Sequence, residues 1–284
     1  MKKYQIIKAL ILVITILSCQ NVFASTEVKS LNDAVKLYNI DEEFINVYGY
    51  SLKHDLLIEN QNNVNITSKY VKVVYQKDLN GNVINTEEKE ISKNEAKNLI
   101  NYNKNLQTGL QSINNTIYET NVKYIIMQYY DTPKETVVDL WNFWKTTPKI
   151  KSVDVIAVRF EKNVDIIEAT GSQMDSTGKS QSYSYKGNNM KTFSNGVGIS
   201  MNLFDDGKQH VCKIQVKRKN TSDFINVYGS YQHAKVGVKL STSQQYSLSN
   251  QGLGNVIKFN TQTISSYYDG MQGLVLDHFA IHKN

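Results

Sequence analysis

The sequence predicts a mainly β protein, an antiparallel β-sandwich in its C-terminal part preceded by a small α+β region. Three observations carry this. Apolar residues alternate at Val197, Ile199, Met201 and Leu203, and again at Cys212, Ile214 and Val216, the period of half-buried strands. Asp206-Gly207 lies between those runs and Asn80-Gly81 between two earlier ones, and both dipeptides favour turns that need positive φ. Short apolar runs then recur through the C-terminal half, separated by turn-rich segments at the spacing of a sandwich or barrel.

Taken in order, Lys2, Lys3 and Lys8 precede an apolar run, Ala9 to Leu17. It is too short to span a bilayer and suits the core of a signal peptide, and Val22-Phe23-Ala24 offers the small-residue cleavage pattern. Residues 1–24 are therefore expected to be removed and the protein secreted. The alternative is a surface lipoprotein anchored at Cys19, since Ile16-Leu17-Ser18-Cys19 resembles a lipobox, although Gln20-Asn21 suits ordinary cleavage better.

Residues 25–116 read as the α+β region. Leu31, Ala34, Val35 and Tyr38 share a helical face behind Ser30. Tyr70 to Gln76 reads as a strand that turns at Asn80-Gly81 into Val83 to Glu90, whose charges mark a solvated edge strand. Ser92-Lys93-Asn94-Glu95 is a capping box, followed by Ala96, Leu99, Ile100, Leu106 and Leu110 at helical spacing, interrupted by Asn103.

Residues 117–284 read as the sandwich. Val122 to Tyr130 is a buried strand. Pro133 suits a first helical turn before Val137 to Trp144, but β-branched and aromatic residues dominate there and favour a strand. Val153 to Phe160 and Val164 to Ala169 are strands. Thr170 to Asn195, rich in Ser, Gly, Asn and Gln, reads as a long loop around a Tyr183-Ser-Tyr185 strand. Further strands are expected at Phe224–Tyr231, Lys235–Leu240, Val256–Phe259 and Gly273–Ile281. Phe-Ile-Asn-Val-Tyr-Gly occurs at both Phe44–Gly49 and Phe224–Gly229, which marks two strands in similar surroundings.

The Asp206-Gly207 hairpin has a testable register. With Asp205 opposite Lys208, Met201 faces Cys212 and Ile199 faces Ile214, so Cys212 and Met201 are structural core residues. The other face would leave Lys213 and Lys217 in water, with Arg218 and Lys219 beyond and Lys208 at the turn. This basic stripe could meet an anionic cell-wall polymer, a glycan or a lipid surface, and otherwise it solvates an edge.

Composition narrows the function classes. The formal charge of +6 falls to +3 once Lys2, Lys3 and Lys8 leave, too mild for a nucleic-acid partner. Cleavage after Ala24 leaves Cys212 as the lone cysteine, so an internal disulfide is excluded. His210 lies two residues from Cys212, but no activating context for a thiolate is visible. His278 and His282 are spaced for a metal on a helix, yet their surroundings read as strand and Asp269 is merely near, so no metal or other cofactor is expected. Asp205-Asp206-Gly207 has too few oxygen ligands for calcium. No Gly-x-Ser-x-Gly, His-Glu-x-x-His or phosphate-binding loop occurs, and catalytic residues are therefore not assigned.

Trp144-Lys145, Pro148, Ser152-Val153-Asp154-Val155-Ile156, Gly196 to Leu203, Tyr228 to Ala234 and Tyr268-Asp269 resemble a loose group of uncharacterised secreted proteins of Gram-positive bacteria. The resemblance covers the C-terminal half and implies export and a β-rich fold, with no activity or site. The expected function is an exported, non-enzymatic binding module of the cell envelope or extracellular space. A membrane-active, toxin-like protein is the first alternative, and a hydrolase whose residues meet only in three dimensions is the second.

Overall fold

The computed structural model describes residues 40–42, 64–105, 110–113, 115–132, 134–204, 209–219, 225–249, 256–270 and 272–276. The expected signal sequence with Cys19, the expected Ser30–Tyr38 helix, the first copy of the repeated hexapeptide, the expected Asp206-Gly207 turn with Lys208, and His278 and His282 lie outside them. The described chain is dominated by strands, and every strand pair is antiparallel, as the alternation patterns predict.

β1 (Val64–Lys77) turns into β2 (Val83–Ile91). Gly81 sits at φ +85°, and the Asp78 carboxylate accepts from the Asn80 and Asn82 backbone N–H groups, which closes the expected hairpin. The Ser92 hydroxyl accepts from the Glu95 N–H and opens α1 (Lys93–Asn105). α1 is described as far as Asn105. Leu110, expected on its face, instead begins β3 (Leu110–Ile113), because the apolar spacing continues into the next strand without marking the break. β4 (Thr116–Asp131) and β5 (Glu135–Trp144) follow, joined by a turn in which Thr132 and Glu135 exchange hydrogen bonds. The strand reading of Val137–Trp144 holds.

β6 (Val153–Phe160) leads to β7 (Ile166–Asp175), β8 (Ser180–Tyr183) and β9 (Met190–Phe193). The expected long loop is thus mostly strand. Its polar composition reflects short outer strands with one exposed face, not absence of pairing. β10 (Gly196–Asn202), β11 (His210–Lys219) and β12 (Val227–Gln232) come next. Lys235–Leu240 is not a strand and runs into α2 (Leu240–Ser243). The chain ends in β13 (Tyr246–Leu248), β14 (Ile257–Phe259), α3 (Gln262–Ser266) and β15 (Gln272–Leu276).

Two sheets make the sandwich. One runs β2-β1-β4-β5-β11-β7-β8 with β3 on β4, and the other β15-β12-β6-β10-β9. β2 is an edge strand, as its charges indicate. The pairing of β1 with β4 along Val64–Lys77 carries the first sheet across the expected boundary at residue 117.

The central hairpin is corrected. β10 pairs with β6 and β9, whereas β11 pairs with β5 and β7 in the opposite sheet. The alternation had the right faces but the wrong neighbour. Val197, Ile199 and Met201 meet Cys212, Ile214 and Val216 across the core instead of beside them along a ladder. Both arrangements satisfy the same period of two, so the pattern cannot separate them.

This core also takes Val71, Met127, Leu140, Trp144, Val158 and Tyr231. Burial of each large apolar side chain contributes about 1.5–3 kcal/mol. Each sheet is covered outside as well. Trp141, Phe143 and Tyr124 pack under Ile40 and Ala96, while Val155 and Ala157 pack under Tyr246, Phe259 and Tyr268. Double coverage explains why β4, β5 and β6 read as nearly continuous apolar runs, and why the polar Ser200 of β10 is buried.

Candidate functional site

The basic stripe is dispersed by the fold. Its strand, β11, lies between β5 and β7 and has no free edge. Lys213 Nζ stands 2.9 Å from Asp139, a fully buried carboxylate of β5, and lies over the Trp141 ring. Lys217 sits between Glu168 at 3.2 Å and Glu135 at 3.7 Å. Two of the predicted binding residues are thus held by carboxylates on neighbouring strands.

Arg218 departs further from expectation. It is 1% exposed and turns inward with Cys212, Ile214 and Val216, its guanidinium 5.7 Å from the Phe160 ring. Adjacent residues of one strand point to opposite faces, so Arg218 and Lys217 cannot belong to one stripe. Lys219 is exposed at the strand's end.

Arg218 and Lys219 do meet elsewhere. With Lys162, Asn163, Asp165 and Ser194 they line a cleft of about 360 Å³ at one end of the sandwich. The cleft is assembled from the β6–β7 and β9–β10 turns and the end of β11. Val164 N–H donates to the Ser194 carbonyl and Lys219 N–H to the Asp165 carbonyl, each at 2.9 Å, and Ser194 Oγ donates to Asn163 Oδ1. Backbone bonds therefore fix the rim, and Lys162 and Lys219 are exposed residues on it. Three cationic residues and one carboxylate line the cleft, a net positive lining that suits an anion or a hydroxyl-rich group. Lys162 escaped the sequence reading because it is separated from Arg218 by over fifty residues.

A second cluster lies inside the sandwich. Asp154 accepts from the Tyr231 hydroxyl, from His233 Nδ1 at 2.9 Å and from the Ala234 N–H at 3.0 Å. Trp144 Nε1 donates to the same Tyr231 oxygen. Nearby, His210 Nδ1 lies 3.7 Å from Cys212 Sγ and His210 Nε2 lies 2.9 Å from Gln173 Oε1. A cysteine and a histidine are thus adjacent, but the chemistry of a nucleophile is not enabled. Burial pushes the Cys212 thiol well above its usual range, and burial pushes His210 down to about 4. A neutral thiol is the unreactive form. Through these bonds Trp144, Asp154, Tyr231 and His233 interlock β5, β6 and β12 with the segment that follows it.

No family model matches the chain, and no curated protein matches its sequence. Among solved structures it is similar to the KRT10-binding region domain of the pneumococcal serine rich repeat protein PsrP, with 12% identity, a TM-score of 0.28, and 59% of this chain and 86% of that one covered. It is also similar to the collagen binding domain of Erysipelothrix rhusiopathiae surface protein RspB, at 6% identity and a TM-score of 0.26, over 78% of this chain and 85% of that one. A pore forming protein matches at 10% identity and a TM-score of 0.21, over 43% and 82%. Scores at this level carry no functional argument. The cleft must carry its own.

Proposed function

We propose that this chain is an exported, non-enzymatic binding module of the cell envelope or extracellular space, and that the cleft at the end of the sandwich takes an anionic polymer, a glycan or a lipid headgroup. The convergence of Lys162, Arg218 and Lys219 on one cleft of about 360 Å³ carries the reading. That volume is within the range of sites for small ligands or single repeat units of a polymer. Export is supported by Lys2, Lys3 and Lys8 before the apolar run Ala9–Leu17 and by Val22-Phe23-Ala24.

The test is co-sedimentation of the purified mature protein with bacterial cell walls and, separately, with anionic vesicles. Binding to one of them is expected, weakening as salt rises. The double variant Lys162→Glu/Lys219→Glu is expected to lose roughly tenfold or more in affinity with unchanged circular dichroism, from two charges worth about 1 kcal/mol each. Sedimentation with neither material, or full binding by the double variant, would sink the proposal.

A further inference from the structure

Lys123 is the least expected charge in the molecule. It sits in the middle of β4, fully buried, on the face that looks into the sandwich. Its Nζ is 3.1 Å from Asp269 Oδ2 and 3.1 Å from Glu88 Oε1. The Asp269 side chain is fully buried and that of Glu88 is 5% exposed. Glu88 and Lys123 lie opposite Val73 and Val71 of β1, so both project from the same sheet face. Asp269 arrives from the chain between α3 and β15. The rings of Trp144 and Tyr231 lie 5.5 and 5.8 Å from Nζ and keep the site dry.

We propose that Lys123 and Asp269 become joined by a side-chain amide, with Glu88 carrying the protons. An ammonium and a carboxylate supply all the atoms. One proton passes from Nζ by way of Glu88 to Asp269 Oδ2, leaving a neutral amine beside a neutral carboxyl. Nζ attacks Cγ and forms the C–N bond, and the Cγ–Oδ2 bond breaks. Oδ2 leaves as water, taking the second proton that Nζ gives up through Glu88. Glu88 ends as it began, and no oxidant, reductant or cofactor is consumed.

Three features of the site favour this step. The His233 N–H donates to Asp269 Oδ1 at 2.8 Å, which places a donor on the oxygen where negative charge develops in the tetrahedral intermediate. Burial raises Glu88 to about 8, opposed by the Lys123 charge and reinforced by the charge and hydrogen bond of Asp269, so Glu88 holds a proton at neutral pH. The reacting groups are fixed by the fold, and well-oriented intramolecular partners react as if at about 10⁵–10⁸ M. Lys217 also touches two carboxylates, but it is 29% exposed, and water there favours the ions over the amide. The amide would tie β4 to the C-terminal segment across 146 residues in a chain whose described cysteine, Cys212, is a free thiol.

The test is denaturing mass spectrometry of the folded full-length secreted chain, with peptide mapping. The expected mass is one water below that of the linear polypeptide, and the map is expected to show a branched peptide joining Lys123 to Asp269. Lys123→Arg is expected to recover the full mass, and Glu88→Gln, which keeps its shape and hydrogen bonds, to lower the branched peptide below detection while remaining folded. Full mass with both linear peptides in the folded wild type would overturn the proposal, independently of how the variants fold. Water loss that survives in Lys123→Arg would also overturn it, because a cyclic imide at Asp269-Gly270 loses water too but leaves its peptide unbranched. A fully cross-linked, folded Glu88→Gln protein would refute the role given to Glu88.

Discussion

Lys213 and Lys217 stand four residues apart on the same face of β11, yet the structure assigns them different consequences. Lys213 is the ionic partner of Asp139, whose carboxylate is wholly buried and otherwise held by the amides of Gln128 at 3.2 Å and Gln215 at 2.9 Å. Replacing Lys213 by Met keeps the stem over Trp141 and removes only the charge. Breaking a buried pair from one side costs about 3–5 kcal/mol, because the remaining charge stays desolvated. Lys213 is 23% exposed and two amides remain on Asp139, which reduces the expected loss to about 2–3 kcal/mol. At roughly 2–4 °C per kcal/mol for a large domain, Tm should fall by about 4–12 °C. Lys217→Met removes half-exposed pairs and should cost under about 1 kcal/mol. Urea unfolding followed by the fluorescence of the two buried tryptophans, Trp141 and Trp144, measures both. Adding Asp139→Asn to Lys213→Met should recover most of the loss, since no charge is then stranded. Equal costs at 213 and 217, or no recovery in the double variant, would refute the reasoning. Charge reversal at Lys213 thus reports on folding before it reports on binding, which is why Lys162 and Lys219 are the probes of the cleft.

Other outcomes follow from the core. His210 is held down to about 4 by burial, against 6.5 when exposed, so between those values the unfolded chain binds a proton that the folded chain does not. Its share of stability is full above about pH 6.5 and falls toward pH 4 by up to about 1.4 kcal/mol per unit, and His210→Gln should flatten that slope in urea titrations. Cys212 should resist thiol reagents in the native state and react at once in denaturant, and rapid native labelling would contradict its burial. A Cβ on Gly196 would lie 2.3 Å from the Val158 carbonyl oxygen and 2.9 Å from Arg159 Cα, both backbone atoms of β6. Gly196→Ala should therefore cost about 1–3 kcal/mol, seen as a lower urea midpoint at constant slope.

Much of the fold was legible because it is local. The Asn80-Gly81 turn, the Ser92 cap and the strand character of β4, β5 and β6 each depend on neighbours within a few residues, and period-two alternation named the buried faces of β10 and β11. The short outer strands β8 and β9 were not legible, because four residues each, few of them apolar, are too short to show a period. Nor was the cleft, whose cations come from the turn after β6 and the end of β11.

Hydrophobicity and backbone period thus mark which apolar residues are buried, and that much the sequence determined alone. It could not choose what each buried residue faces. Alternation is the same whether β10 and β11 lie side by side or across a core, and only the closing of two sheets decided for the latter. The same assembly buried Arg218, set β5 beside β11 so that Lys213 pairs with Asp139, and brought Lys123, Glu88 and Asp269 to within hydrogen-bonding distance. The reason is physical: a charge takes its meaning from its partner and its distance from water, and both are properties of the assembled structure.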